Sequence, residues 1–269
     1  MIENISRYKR LFTFGCSFTR YLYPTWADVL SKEMPNAIFY NLGVSGAGNS
    51  YISWKIAEAN NRFKFDQDDL VVVMYTTFCR EDRFVDGWRL YGNVYNNNYY
   101  TKEFYKYTDP NGYAIQNLAT IDLSMQYLKS LPCTSVFLHG MPLGNNETLH
   151  DIYDSEKLIQ LQLVYPHIFD LPTSYFKFLH PNLSDTARYV EKGIMYKKVN
   201  GELFHDAHPS PIYAYEYLKY LEFPLSEISY NYALKETNTC KQLGSDTEIV
   251  TYYKDYNFQM DKKLEGLFR

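Results

Sequence analysis

Long apolar runs are missing from this chain. No stretch approaches the about 20 consecutive apolar residues that cross a bilayer, and nothing near Met1 joins a basic segment to an apolar core as an export signal does. A soluble protein is therefore expected, cytoplasmic or virion-associated, with no membrane partner. Positive charge is not in excess either. With 27 Lys and Arg against 31 Asp and Glu, the net charge of -4 leaves no electrostatic footprint for a nucleic-acid backbone. Cysteine is scarce, and Cys16, Cys79, Cys133 and Cys240 lie far apart. That spacing excludes a zinc knuckle and reads as reduced thiols packed as small hydrophobes. Internal repeats and low-complexity linkers are absent too.

Tyrosine is what the chain has in quantity, 28 among 269 residues. A chain of this length buries roughly 75% of the surface its unfolded form exposes, enough for one large core with an extension. Apolar runs alternate with amphipathic stretches. Leu11 to Phe14 reads as a first strand, Ala37 to Asn41 as a second, the unbroken Leu70 to Tyr75 as a third and Ser135 to Leu138 as a fourth, with a weaker fifth at Leu163 to Phe169. Helices are expected between them. Thr25 caps one that buries Trp26, Val29 and Leu30; Ile52, Ile56 and Ala59 share a face of another; Leu118, Ile121, Met125 and Leu128 mark a third, stopped by Pro132. Ser210 and Pro211 open a last one through Ala214, Leu218 and Leu221. Strand and helix in alternation predict an α/β protein, a three-layer α/β/α sandwich on a parallel sheet of about five strands.

Two regions fall outside this rhythm. Residues 80–112 interleave Tyr91, Tyr95, Tyr99, Tyr100, Tyr105 and Tyr107 with Asn93 and Asn96 to Asn98, without helical or strand period. Following the third strand at the carboxyl edge, this insertion reads either as a lid or wall of a site, or as a solvated excursion or small hairpin. Residues 226–269 form a polar extension to a domain spanning 1–225, able to wrap the domain or meet a second copy of the chain.

Chemistry concentrates in short segments. Gly15-Cys16-Ser17-Phe18-Thr19 puts a serine on a sharp turn leaving the first strand, and Asp206-Ala207-His208-Pro209 stands before the last helix. Ser17 needs a base to become a nucleophile; His208 is the candidate, and Asp206 would orient and charge-balance its ring. Cys16 is the rival nucleophile. Neighbouring positions at a strand end face opposite ways, so only one reaches His208, and Ser17 is the choice. The backbone N–H groups of Ser17 and Gly46 are the expected oxyanion donors. His205, Asp206 and His208 together also suit a metal, but no matching cluster joins them and the serine turn would go unexplained; no metal and no cofactor are implied. His139, ending the fourth strand, reads as a substrate contact or a satisfied core histidine.

Gly15 to Thr19, Asn41-Leu42-Gly43-Val44-Ser45-Gly46 and Asp206 to Pro209 resemble the first, second and last blocks of the SGNH, or GDSL-like, hydrolases, in the right order, across about residues 10–222. The resemblance implies a flavodoxin-like sandwich with a Ser-His-Asp triad at the carboxyl ends of the strands. Cysteine replaces the usual aspartate of the first block. The usual Gly-x-Asn-Asp third block is replaced by Tyr75-Thr76-Thr77-Phe78-Cys79-Arg80, similar to the Thr-x-x-x-Arg form of divergent members. A side-chain oxyanion donor would then come from Thr77 or Asn49, and substrate contacts from Arg80, Tyr75 or His139. The activity expected is a serine esterase that removes a small acyl group, such as acetyl, from a carbohydrate or similar polar carrier. The other readings are a binding or structural protein on the same fold, and an acyltransferase using the same triad.

Overall fold

The structure, a computed structural model, describes residues 4–96, 100–141, 155–181, 193–198 and 200–267. Its centre is a parallel sheet in the order β2-β1-β3-β6, built from β1 (Arg10–Phe14), β2 (Ile38–Asn41), β3 (Asp69–Tyr75) and β6 (Thr134–His139). α1 (Trp26–Ser31) links β1 to β2, and α2 (Asn49–Phe63) links β2 to β3. The chain therefore winds outward one way from β1 and then crosses to its other side, which puts the switch point between β1 and β3 at the carboxyl edge.

Period two explains both layers. Leu70, Val72 and Met74 of β3 face one side with Leu11, where Trp26, Val29 and Leu30 of α1 and Ala214, Tyr217 and Leu218 of α8 (Pro211–Tyr220) cover them. Val71, Val73 and Tyr75 face the other with Phe12 and Phe14, beneath Ile52 and Ile56 of α2 and Leu118, Ile121 and Met125 of α4 (Pro110–Lys129). Every residue of β3 is buried, as a strand with two covered faces requires. The three-layer sandwich is the one expected.

The fifth strand is not there. Residues Leu163 to Phe169 belong instead to α5 (Ser155–Val164) and α6 (Pro166–Phe169). Pro166 supplies the physical reason: it cannot donate to a sheet ladder, while its fixed φ suits the first position of a helix.

Residues 80–112 fold as an antiparallel hairpin, β4 (Arg80–Phe84) and β5 (Trp88–Asn93), followed by the short α3 (Lys102–Tyr105) and the start of α4. Residues 97–99 of the tyrosine-rich stretch, Tyr99 included, lie outside the described residues. Past α6 come α7 (Tyr175–Leu179) and a second hairpin, β7 (Gly193–Lys197) with β8 (Leu203–Pro209), leading into α8. After α8 the chain continues as α9 (Glu227–Leu243), α10 (Asp246–Tyr252) and α11 (Lys254–Lys263). Ala233 of α9 joins the α1 and α8 layer, whereas Met260, Leu264 and Leu267 join the α2 and α4 layer. Among the described residues no helix is long and apolar enough to cross a membrane.

The first hairpin is tied to the sheet domain through the start of α2. The cap position there is Gly48, which has no side chain to offer the open amides. Asp82 of β4 does it from a distance, accepting from Gly48 N–H and from Tyr51 N–H, each at 2.8 Å. One carboxylate thus makes both bonds of a capping box, at the helix end that favours negative charge. Replacing Asp82 with Ala leaves two such amides unpaired and is expected to cost about 2–3 kcal/mol. Asp82→Asn, which keeps an acceptor oxygen, loses less; denaturant unfolding of the two variants measures the order.

His139 at the end of β6 is buried, with Nε2 bonded to Ile168 O at 2.9 Å. Burial pushes its pKa down to about 4, partly opposed by that hydrogen bond. The unfolded chain takes up this proton near the ordinary value of about 6.5, so between there and about pH 4 it binds more protons than the folded one. Stability from His139 is therefore full above the upper value and falls with pH below it, by about 1.4 kcal/mol per pH unit. Unfolding free energies measured across that window are expected to fall more steeply for the wild type than for His139→Gln.

Candidate active site

Ser17 sits where β1 runs out at the switch point. Cys16 O accepts from both Thr19 N–H and Arg20 N–H, closing a tight turn. The loop after β2 is tied to this turn at several points: Leu42 N–H to Thr13 O, Val44 N–H to Gly15 O, and the Asn41 side-chain amide to Thr19 O. The first two motif segments thus form one rigid unit. Cys16 turns inward to the core with Phe14 and Leu42, and Ser17 turns outward.

Asp206 and His208 reach the same point from far along the chain. They lie on β8, a strand paired to β7. His208 Nε2 stands 2.8 Å from Ser17 Oγ, and His208 Nδ1 stands 2.6 Å from Asp206 Oδ1, which also accepts the His208 backbone N–H at 2.9 Å. Ser17 and His208 are 191 positions apart in sequence, so only the completed fold joins them. Gly193 permits this placement of β8: a Cβ there would fall 1.6 Å from the Asp206 carbonyl oxygen. The side chain of His205 lies outside what the structure describes.

Asp206 is a buried charge, 1% exposed, and its surroundings decide whether it stays ionised. Burial alone would raise its pKa. Hydrogen bonds from the His208 ring and backbone, with Coulombic attraction to the ring and a bond from Tyr21, outweigh burial and hold the carboxyl below its ordinary value. Tyr196 OH adds a donor to Oδ2 at 3.2 Å. Burial, reinforced by Asp206, raises the pKa of Tyr21 and pushes that of Tyr196 up to about 12, so both stay neutral donors at physiological pH.

The imidazole is fixed as firmly as the carboxylate. Tyr21 stacks on it with ring centroids 3.7 Å apart and planes 18° from parallel, Phe18 meets it edge-on at 5.4 Å, and Tyr23 OH donates to His208 O at 2.9 Å. Sequence reasoning passed over Tyr21, Tyr23 and Tyr196. The position of Tyr21 and Tyr23 just after the serine turn was the available signal, and the overall abundance of tyrosine hid it.

The remaining expected site residues separate into groups. Gly46 has φ of 80°, and a Cβ on it would meet Leu90 O of β5 at 2.2 Å, so glycine is required twice over. Asn49 is wholly buried: its amide donates to Thr76 O and Asn117 Oδ1, while its oxygen accepts Thr76 N–H. Those bonds hold α2 to the end of β3 and engage both N–H groups and the oxygen of the Asn49 amide. Tyr75 is also buried, bonded to Ser124 on the far face of the sheet, and His139 lies in the core. Both side chains have their polar contacts within the protein, at Ser124 and Ile168. Arg80 donates to Ala47 O at 2.8 Å and so braces the Gly46 loop. Thr77 follows β3, nearly buried.

A cavity of about 490 Å³ is bounded by Tyr21, by Gly43 to Ser45, by Trp88 and Leu90 of β5, and by residues of α11 and beyond. The arrangement of Ser17, His208 and Asp206 can relay a proton from hydroxyl to imidazole while a buried carboxylate balances the charge formed.

No protein-family model matches the chain, and no curated protein matches it. Among solved structures it is similar to a member of the lipolytic protein G-D-S-L family from Veillonella parvula, at 13% identity and a TM-score of 0.42, over 78% of this chain and 96% of that one.

Proposed function

We propose that the chain is a serine ester hydrolase of the SGNH type, a reading carried by one observation: the Ser17 hydroxyl, the His208 imidazole and the Asp206 carboxylate form a continuous hydrogen-bonded line at 2.8 and 2.6 Å. Ser17 Oγ attacks the ester carbonyl as His208 Nε2 takes its proton. The carbon–oxygen bond to the alcohol then breaks, and the imidazolium returns the proton to the departing oxygen. Water repeats the sequence on the acyl-enzyme, releasing the acid and restoring Ser17.

Charge on the tetrahedral oxygen is met by the N–H groups of Ser17 and Gly46, with the Thr77 hydroxyl as the side-chain donor in place of the missing asparagine block. The Gly46 loop is braced for this by Arg80 on Ala47 O and by Leu90 against the glycine. Preorganised donors of this kind need no rearrangement when the charge forms.

The finer expectation is removal of acetyl from a carbohydrate. Its support was the row of tyrosine faces in the insertion. Several of these pack on one another: Tyr91 edge-on to Tyr100, Tyr100 against Phe104, and Tyr95 edge-on to Tyr113. The reaction class stands without the sugar, and transfer of the acyl group to a second hydroxyl would use the same triad.

Ser17→Ala is expected to lower kcat for p-nitrophenyl acetate by about 10⁴-fold or more and to abolish labelling by a fluorophosphonate probe. A wild-type protein that takes no label and turns over no ester would leave a non-catalytic binding protein on this fold. Asp206→Asn leaves the geometry in place but removes the charge that balances the imidazolium. Its kcat is expected to fall by about 10⁴-fold with little change in KM, as steady-state kinetics on the same ester would show.

A further inference from the structure

The cavity of about 490 Å³ is of the size that holds a small molecule. Ser17, His208 and Asp206 do not line it. Tyr21 does, and the ring of Tyr21 also stacks on the His208 imidazole at 3.7 Å, so an aromatic side chain stands between the cavity and the base.

Its walls come from distant parts of the chain. Leu42 and Val44 belong to the loop after β2, Tyr51 to α2 and Trp88 to β5, while Leu264 and Leu267 follow α11. Tyr51 and Trp88 meet edge to face, with ring centroids 5.1 Å apart and planes at 88°, which fixes that corner in advance of any ligand.

The polar groups of the lining narrow what can fill it. Among the described residues the charged groups at the wall are Arg20, Asp261 and the buried Lys55. Arg20 is paired to Asp261 at 2.8 Å, and Lys55 to Glu58 at 2.7 Å, with the Lys55 ammonium 5.3 Å from the centre of the Tyr51 ring. A charged ligand would leave water only to find these charges already matched, and its desolvation would go uncompensated. Ser45 of the Gly46 loop and Asn257 of α11 add uncharged polar groups, able to meet a lone N–H or hydroxyl of a ligand. A polyol would carry more hydroxyls than these can satisfy, at a cost for each one left unpaired.

We infer that the cavity is a second binding site, separate from the Ser17 centre, for a neutral and largely aromatic small molecule that carries a single polar group. The aromatic walls receive flat rings by edge and face contact, and the aliphatic ones gain by the removal of apolar surface from water. Such a site needs no catalysis at Ser17 and stands whether or not the chain hydrolyses esters.

The test uses a matched pair of fluorescent probes on the whole chain: N-phenyl-1-naphthylamine, which is neutral, and 8-anilino-1-naphthalenesulfonate, the same ring skeleton bearing a sulfonate. Fluorescence of the neutral probe is expected to rise saturably, with an affinity about tenfold or more above that of the sulfonate. Leu264→Trp, which fills the cavity, is expected to weaken the neutral probe by about tenfold or more. Val250 also lines the cavity and is half exposed on α10, so Val250→Trp is expected to fold and to weaken the probe as well, which keeps the test decisive where Leu264→Trp does not fold. No saturable rise, a rise that neither variant reduces, or a sulfonate bound as tightly as the neutral probe overturns the assignment.

Labelling with diisopropyl fluorophosphate separates this site from the Ser17 centre. Protein labelled at Ser17 is expected to bind the neutral probe within about twofold of the unlabelled affinity; loss of binding on labelling makes the cavity part of the ester site and overturns the assignment. A protein that takes no label fails the esterase reading alone, and the probe titrations still decide the cavity.

Discussion

A carboxylate removed from water, as Asp206 is, persists as a charge only where donors replace its hydration shell, and much of the architecture around the site serves that replacement. The ring and backbone of His208 supply two donors on one oxygen, Tyr196 supplies another on the second oxygen, and Tyr21 adds to them. Removing one partner from such a group leaves the others to carry an uncompensated charge, which is far more costly than losing a surface ion pair. The same contacts set the chemistry. A fully satisfied carboxylate fixes the tautomer of the imidazole, with the Nδ1 proton toward Asp206 and Nε2 free to accept from Ser17.

The tyrosines explain why this cluster is rigid as well as charged. Tyr21 and Tyr23 follow directly after the serine turn and close over His208 from two directions, one by stacking and one through the backbone carbonyl. Tyr196 comes from β7, and it packs in a small core with Tyr23, Ile194, Cys240 of α9, and Ile249 and Tyr253 of the α10 region. The C-terminal helices thus support the β7–β8 hairpin that carries Asp206 and His208 through aromatic packing. Aromatic rings suit the task because they bury large areas while their hydroxyls still reach a polar partner.

How much of this was legible in the sequence depends on the range of the interaction responsible. The serine turn, the Gly46 loop and the Asp206–His208 segment follow from local rules: glycine where backbones approach, a capped helix after a proline, a strand apolar throughout because both faces are covered. Those rules also placed β1, β3, α1, α2, α4 and α8. The fifth strand failed although its own local signal, Pro166, argued against it. The β7–β8 hairpin had no strong alternation to announce it, since Gly193 and the polar run around His208 are chosen for the site and not for a sheet. Asn49, one of two candidate side-chain donors, shows the reach of a non-local contact. An amide at the start of a helix beside a glycine loop resembles an oxyanion donor until Thr76 and Asn117 are seen to occupy it.

The missing asparagine block and the inserted hairpin then have a common account. In a site whose third block carries no asparagine, the geometry of the Gly46 loop must be fixed by other means. Three residues of the segment that follows β3 do this: Arg80 on Ala47 O, Asp82 on the amides at Gly48 and Tyr51, and Leu90 with its carbonyl against the Gly46 α-carbon. The insertion acts on the Gly46 loop from outside. Because the same hairpin presents Trp88 and Leu90 to the cavity, a single element both fixes the Gly46 loop and forms the wall beside it. Substitutions that reshape the cavity through β5 therefore disturb the Gly46 loop as well, whereas those made from the C-terminal side, at Leu264 or Leu267, leave the braces at Arg80, Asp82 and Leu90 in place.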